Sequence, residues 1–293
     1  MKTYYISILI FTYNREKKLA DTMRALFKQK YPLDHYEIIV SDDGSSDGTS
    51  EVVKALQAES PCKLVYVQNL HRGVAATINS GAKKSSGDVL ILLGDDVITS
   101  PTFLEEYNRA YNKYPDIAGV AGYTCPLSTT IFARHEWFMT QYYLKFNFEE
   151  RVMKKGEAVS NPISVKRNIF FEIGGISEKI KYARGDDSEV IEKLYEKGYA
   201  MVSIPTKTIH MQDYNLRGFI KSAENRGTEG RRYLLGNNYK FPRLRFAVKF
   251  TLMPLLFFKY WYDFAKFGRI LSIDMVAMRT VFNAVSSLYA VFG

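Results

Sequence analysis

Cysteine is nearly absent from this sequence. Cys62 and Cys125 are its only two in 293 residues, too few for a disulfide framework, so a reducing compartment is expected. No apolar h-region follows Met1, because the opening Tyr-Ile-Ser-Ile-Leu-Ile-Phe already reads as a strand, and no signal peptide is expected. Clean spanning runs are missing as well: Phe246 to Phe258 holds Lys249 and Pro254, and Ile270 to Phe292 holds Asp274 and Arg279. Charges near the bilayer centre cost roughly 2.5–3.5 kcal/mol apiece on insertion scales, which makes both poor spanning helices. The last scarcity is of acid. Residues 214–293 carry 4 acidic against 13 basic side chains, whereas residues 1–213 balance 27 against 27, so the tail holds the whole net charge of +9.

What is present describes a globular protein, with 46% hydrophobic and 24% charged residues, and a length that buries one large core plus a smaller appendage. Tyr4 to Phe11, Tyr36 to Val40, Leu64 to Val67 and Val89 to Leu93 read as strands. Between them run helices over about Lys17 to Gln29, Glu51 to Leu56 and Val74 to Lys84. This alternation predicts an α/β fold with a parallel doubly wound sheet and polar loops gathered at one edge. Later, Phe103 to Lys113 reads as helix, Ala118 to Tyr123 as strand, Val159 to Val165 as strand, Lys166 to Ile173 as a short helix, and Gly185 to Glu196 as a helix opened by acids. Residues 126–156 lack a clear period and read as a binding loop with helical pieces.

The chemistry concentrates on Leu90 to Ile98. Four consecutive aliphatic residues read as a strand buried on both faces, and Asp95-Asp96 directly after it falls at the carboxyl edge of the sheet, where open α/β folds bind ligands. Adjacent carboxylates repel each other, and a divalent cation or protonation relieves them; a solvated acidic turn is the plainer alternative. Two other loops at that edge, Thr12 to Arg15 and Asp42 to Ser45, also carry chemistry-capable groups.

Over about residues 4–235 the chain resembles the inverting GT-A glycosyltransferases of family 2. The resemblance is carried by Ile8-Leu9-Ile10-Phe11-Thr12-Tyr13-Asn14-Arg15 and by Ile38-Ile39-Val40-Ser41-Asp42-Asp43-Gly44-Ser45-Ser46-Asp47-Gly48-Thr49. Gly73 with Asn79 and Gly81, Gly87-Asp88-Val89 leading into Gly94-Asp95-Asp96-Val97, and Gly185-Asp186-Asp187 with Gly198-Tyr199 complete it. It implies a GT-A catalytic domain over residues 1–240, with a Rossmann-like nucleotide-sugar half over about 1–100 and an acceptor half over about 101–240. Thr12, Tyr13 and Asn14 would line the nucleoside pocket, Asp43 would accept from the base edge, and Asn79 and Asp95 would meet the nucleotide sugar. Asp96 and His210 would hold Mg²⁺ or Mn²⁺, and Asp187 would be the catalytic base.

Three departures stand out. Phe11 replaces a proline; the first acid of the Asp-x-Asp element is Leu93 or Gly94; and Ile78 precedes Asn79 where many relatives carry arginine, which passes phosphate neutralisation to Arg72 or the metal. The chemistry is consistent by itself: a diphosphate leaving group needs a Lewis acid, an acceptor hydroxyl needs a carboxylate to take its proton, and a single displacement inverts the anomeric centre. A nucleotidyltransferase would carry a glycine-rich loop after its first strand, and Thr12 to Arg15 holds no glycine. A non-catalytic nucleotide-sugar or nucleic-acid binding module would not need both Asp96 and Asp187.

The tail, residues 241–293, is read as amphipathic helices. Residues 214–293 hold 17 of the 42 aromatics, and aromatics mixed with basic residues suit an anionic membrane surface or a nucleic acid. Ser272, Arg279, Asn283 and Ser286 form one polar stripe on an otherwise apolar helix. In-plane helices on the cytoplasmic face of the cell membrane are expected, with a packed hairpin or a homodimer interface as the alternative. The expected partners are a nucleotide sugar and a glycan or polyprenyl-linked acceptor, and no nucleic acid.

Overall fold

The computed structural model describes residues 1–127, 130–133, 135, 149–154, 162–178, 186–211, 215–236, 247–248, 252, 254–255, 257–258, 262 and 273–292. By compactness the chain divides into two units, Met1–Cys125 with Tyr143–Met211, and Pro126–Tyr142 with Gln212–Gly293. These divisions do not coincide with a single cut after residue 240.

In the first unit, strands β1 (Ile6–Thr12), β2 (Tyr36–Asp42), β3 (Lys63–Gln68) and β4 (Val89–Gly94) alternate with helices α1 (Glu16–Leu26), α2 (Thr49–Glu59) and α3 (Val74–Lys84). The strands pair in parallel in the order β3-β2-β1-β4, with Ile8 opposite both Ile38 and Ile91. Because side chains alternate along a strand, β1 feeds two cores. Ile6, Ile8 and Ile10 pack with Leu19, Met23 and Leu26 of α1, while Leu9 packs with Ile39, Ile78 and Ala82 on the opposite face. All four β1 residues are fully buried, and burial of each such side chain stabilises by about 2 kcal/mol. Helix α3 lies close to the sheet at Gly81, where an added Cβ would overlap the Leu9 side chain.

Beyond β4 come β5 (Val97–Thr99), α4 (Phe103–Lys113), β6 (Gly119–Pro126), β7 (Arg151–Val152), β8 (Ile163–Lys166), α5 (Arg167–Glu172), α6 (Asp186–Glu196) and β9 (Met201–His210). The parallel order ends at β4. Strand β8 enters antiparallel between β4 and β6, with Leu90 opposite Val165 and Val120 opposite Ser164, and the sheet continues to β9 and β5 with β7 also on β9.

This path places β5 four strands from β4, although only Asp95 and Asp96 separate them in sequence. Four steps across a flat sheet would cover about 19 Å, whereas the three links from Gly94 to Val97 reach at most about 11 Å. The sheet therefore curls back on itself, and the acid pair forms the corner.

The second unit contains α7 (Leu216–Gly236) and α8 (Ile273–Phe292). Their backbones meet at Gly227, where any Cβ would collide with the Ser286 carbonyl oxygen. Phe219, Ala223 and Phe282 form its small core, with Phe132, Met278 and Val285 against it. Of the helix expected over Phe246 to Phe258, helical turns are described at 247–248, 254–255 and 257–258.

Candidate active site

The corner is held by groups from three elements. A turn this tight leaves the Asp95 carbonyl and the Val97 amide without strand partners at that point, and buried backbone groups require them. Thr22 of α1 supplies both: its hydroxyl donates to Asp95 O at 2.9 Å and accepts from Val97 N at 3.1 Å. The Met211 amide donates to Asp96 O at 2.7 Å, and β9 pairs with β5 so that His210 lies opposite Val97. That register delivers the imidazole to the acid pair, with His210 Nε2 3.0 Å from Asp96 Oδ1.

Asp95 and Asp96 are both buried, and they converge on one cation. Arg15 Nη1 lies 3.2 Å from Asp95 Oδ1 and 2.7 Å from Asp96 Oδ2, while the Thr12 hydroxyl donates to Asp95 Oδ2 at 2.7 Å. The two acids titrate far apart. Burial pushes Asp95 up to about 6, against the Arg15 charge that favours its ionised form and with the neighbouring Asp96 charge adding to the rise. Burial acts on Asp96 in the same sense, but the His210 hydrogen bond and charge, with Arg15 and Lys18 behind them, hold it down at about 2. Arg15 is itself raised: burial works against its charge, and the two carboxylates more than compensate.

Among the described residues, no three His, Cys, Asp or Glu side chains are arranged at metal-ligand geometry, since the carboxylates here close on Arg15. The donor set is nevertheless a suitable one. Two carboxylates and an imidazole match the hard, oxygen-preferring Mg²⁺ or the more nitrogen-tolerant Mn²⁺, and the position between the acids already carries positive charge. Asp96 and His210 are the residues that would hold such an ion.

The neighbouring loops at the ends of β1 and β2 are laced together. Asn14 adopts φ +51°, a conformation asparagine tolerates better than most residues, and its amide donates to Ser45 Oγ at 2.8 Å while its side-chain oxygen accepts from Ser46 N at 2.8 Å. Tyr13 is left partly exposed, stacked on His71 with ring centroids 4.4 Å apart. Asp43 is buried and heavily used. Its Oδ1 accepts from Arg72 N, Gly73 N and Thr77 Oγ1 at 2.9, 3.1 and 2.9 Å, and its Oδ2 lies 2.9 Å from His71 Nδ1. Gly73, with φ +93°, turns its amide onto both Asp43 oxygens just ahead of α3.

Thr12, Asp95, Asp96 and His210 are thus brought together, and Tyr13, Asn14 and Asp43 line the adjoining loops. Asn79 is engaged elsewhere: its side chain donates to Ile176 O at 2.7 Å and accepts from Ile176 N at 3.0 Å, clamping the segment that precedes α6. Arg72 pairs with Glu178 at 2.6 Å. Asp187 is the second residue of α6, and its side chain lies outside the described residues. Sequence reasoning missed Arg15 as the partner of the acids, Thr22 as the splice of the corner and His71 as the partner of Tyr13. Only Arg15 left a signal, as the cation in the polar turn after β1.

Comparison with known proteins bears on this arrangement. The family model described as glycosyl transferase family 2 matches residues 7–173. A dolichyl N-acetyl-alpha-D-glucosaminyl phosphate 3-beta-D-2,3-diacetamido-2,3-dideoxy-beta-D-glucuronosyltransferase of Methanococcus voltae is 33% identical over 134 residues, covering 44% of this chain and 42% of that protein. The match therefore spans less than half of that relative. Among solved structures, the mannosyltransferase PcManGT from Pyrobaculum calidifontis, in complex with GDP-Man and Mn²⁺, superimposes with a TM-score of 0.61 at 15% identity, over 99% of this chain and 87% of that one. S. aureus TarS 1–349 in complex with UDP-GlcNAc gives a TM-score of 0.58 at 15% identity, over 78% and 66%. The GT-A arrangement expected from the sequence is the fold shared with both.

Proposed function

Because the chain belongs to glycosyl transferase family 2, we propose that it transfers a sugar, with inversion, from a nucleoside-diphosphate sugar to a hydroxyl of a glycan or polyprenyl-linked acceptor. A UDP-sugar is our choice of donor. The observation that carries the reading is the gathering of the β1, β2 and β4 loops at one sheet edge, with Asp95 and Asp96 closing on a cation there. The M. voltae relative's name points to a lipid-linked acceptor, and the two structural neighbours are titled as complexes with nucleotide sugars.

In this reading Tyr13 offers its exposed ring to the nucleobase and Asp43 its carboxylate to the base edge. Thr12, Asn14 and Asp95 shape the pocket around the nucleotide sugar, and Asn79, bonded to Ile176, acts on it only by holding that segment in place. Mn²⁺ or Mg²⁺, when bound by Asp96 and His210, would act as a Lewis acid toward the diphosphate leaving group. Asp187, in the first turn of α6, takes the proton of the attacking hydroxyl, so that one displacement with one base converts an α-linked donor into a β-linked product. We place the reaction on the cytoplasmic face of the cell membrane, where a lipid-linked acceptor is presented.

The direct test is a screen of nucleotide sugars for Mn²⁺-dependent nucleotide release, by the wild-type chain and by Asp96→Ala. Release with at least one donor, abolished by EDTA and by the substitution, is expected. No release above the Asp96→Ala background with any UDP-, GDP- or dTDP-sugar would overturn the reading.

A further inference from the structure

The second unit buries polar side chains beside its small apolar core and leaves apolar ones exposed. Along α8, Arg279, Asn283, Ser286 and Ser287 recur at i, i+4, i+7 and i+8 and all four are buried, while Ala277, Val281 and Leu288 of the same helix are exposed. A helix on a water-facing surface normally does the reverse, with apolar side chains inward and polar ones outward. A second surface of this unit repeats the pattern. Val248, Leu252, Leu255, Phe258 and Tyr262 recur at intervals of 4, 3, 3 and 4 residues in the sequence, and each is between 44% and 65% exposed. The Leu252 amide donates to Val248 O at 3.0 Å, closing a turn between the first two members.

Charge identifies what meets this row. Residues 240–269 carry Lys240, Arg243, Arg245, Lys249, Lys259, Lys266 and Arg269 against the single acid Asp263. A second copy of the chain would bring the same positive stretch against itself and be repelled, whereas an anionic lipid surface attracts it and offers the exposed side chains an apolar medium. Lys249 and Pro254 interrupt the apolar run from Phe246 to Phe258, a charge and a helix breaker that disfavour spanning, so the contact is assigned to the plane of the bilayer.

We propose that the row Val248, Leu252, Leu255, Phe258 and Tyr262 docks on an anionic lipid bilayer, its side chains in the headgroup–acyl boundary and the flanking lysines and arginines against the lipid charge. The proposal deepens the membrane placement given above and does not depend on the transferase activity. Leu255 and Phe258 are the two most exposed described members of the row apart from Tyr262, so Leu255→Glu/Phe258→Glu alters the surface with little burden on the core.

The test is flotation of the full chain with vesicles of phosphatidylcholine alone or with 30% phosphatidylglycerol, in low and high salt. Each preparation is also assayed for thermal unfolding, oligomeric state and nucleotide release. The wild-type chain is expected to float with anionic vesicles, with binding weakened but not abolished by high salt, and the double variant to bind at least tenfold less while unfolding at the same temperature. A wild-type chain that stays unbound by anionic vesicles overturns the proposal. So does a variant that floats as well as wild type, or a lipid-free wild-type dimer that the variant abolishes, which would assign the row to a second copy. A chain that floats as expected yet releases no nucleotide from any donor leaves the docking surface standing and refutes the transferase reading alone.

Discussion

Replacing Arg15 by glutamine is expected to raise the affinity of the free protein for Mn²⁺, although the substitution damages the site. Arg15 Nη1 lies 3.2 and 2.7 Å from carboxylates of Asp95 and Asp96, where a bound cation would compete with it for Asp96. Two unit charges about 4 Å apart attract by about 4 kcal/mol at an effective dielectric near 20. The Arg15 side chain is 49% exposed, and solvent reduces fully exposed pairs to about 1 kcal/mol or less. Acting on two buried acids, Arg15 falls between these limits, at about 1.5–3 kcal/mol. Since about 1.4 kcal/mol is tenfold in affinity, removal of the competing charge should tighten Mn²⁺ binding about 10- to 100-fold. The assay is titration of free hexaaquo Mn²⁺ by electron paramagnetic resonance without nucleotide, alongside thermal unfolding with and without Mn²⁺. The metal-free variant should melt lower, because two buried carboxylates lose their partner, and Mn²⁺ should restore more stability to it than to wild type. Arg15→Lys keeps the charge and should bind Mn²⁺ close to wild type. Unchanged or weaker Mn²⁺ binding by Arg15→Gln would refute the placement of the ion at the acid pair.

Asp187→Asn should leave nucleotide and Mn²⁺ binding intact while cutting sugar transfer by about 10²- to 10⁴-fold; transfer near the wild-type rate removes Asp187 from the chemistry. Asn79→Ala deletes both hydrogen bonds to Ile176 and should cost about 1–2 kcal/mol of stability, measured by urea unfolding. If its effect falls on donor affinity with stability unchanged, Asn79 is a ligand contact and not a clamp. Glu37 supplies the pH test: it is fully buried, and although burial disfavours its charge, Lys63, Ser7 and Ser86 more than offset this and lower its pKa. A carboxylate lowered in the folded state adds stability above its unfolded pKa and loses it as the pH falls through the folded one. The stability difference between wild type and Glu37→Gln should therefore be largest near neutral pH and shrink in acid, and a pH-independent difference would contradict the assignment.

The half of the fold built on β1 to β4 was readable because its signals are local. Strands β1 to β4 are short aliphatic runs, each helix between them has an apolar stripe, and the chemistry-bearing loops follow strand ends in sequence. The corner was not readable for the same reason. Strand β5 has three residues, and its only pairing described here is to β9, more than a hundred residues away, so no window contains the information that it exists. Thr22 looks like one more small residue on α1, and nothing near it in sequence marks the backbone gap that it fills. Asn79 belongs to the motif that carried the family resemblance, yet its bonds are made to a segment almost a hundred residues on. Periodicity found the polar stripe but is blind to direction: Arg279, Asn283 and Ser286 on α8 face inward, and Ser272 lies outside the described residues. The shift in charge at residue 214 falls close to the Gln212 boundary of the second unit, whereas its Pro126–Tyr142 part, drawn in from mid-chain, is invisible to a scan for shifts in composition.

The two-residue corner between β4 and β5 has a thermodynamic consequence. Most loops at a sheet edge can loosen without disturbing the strands behind them, and ligands that order such loops protect only the loops. Here Asp95 and Asp96 fasten one end of a hydrogen-bonded ribbon to its middle, since β5 closes on β9, β9 on β6, β6 on β8 and β8 on β4. Opening the corner breaks the ring, so whatever binds Asp96 and His210 together resists unzipping of strands that it never touches. Occupancy of the acid pair should accordingly register as slowed amide hydrogen exchange in β8 and β6, through suppression of the shared opening event, and the chain length between Gly94 and Val97 becomes the one spacing at this edge that cannot drift.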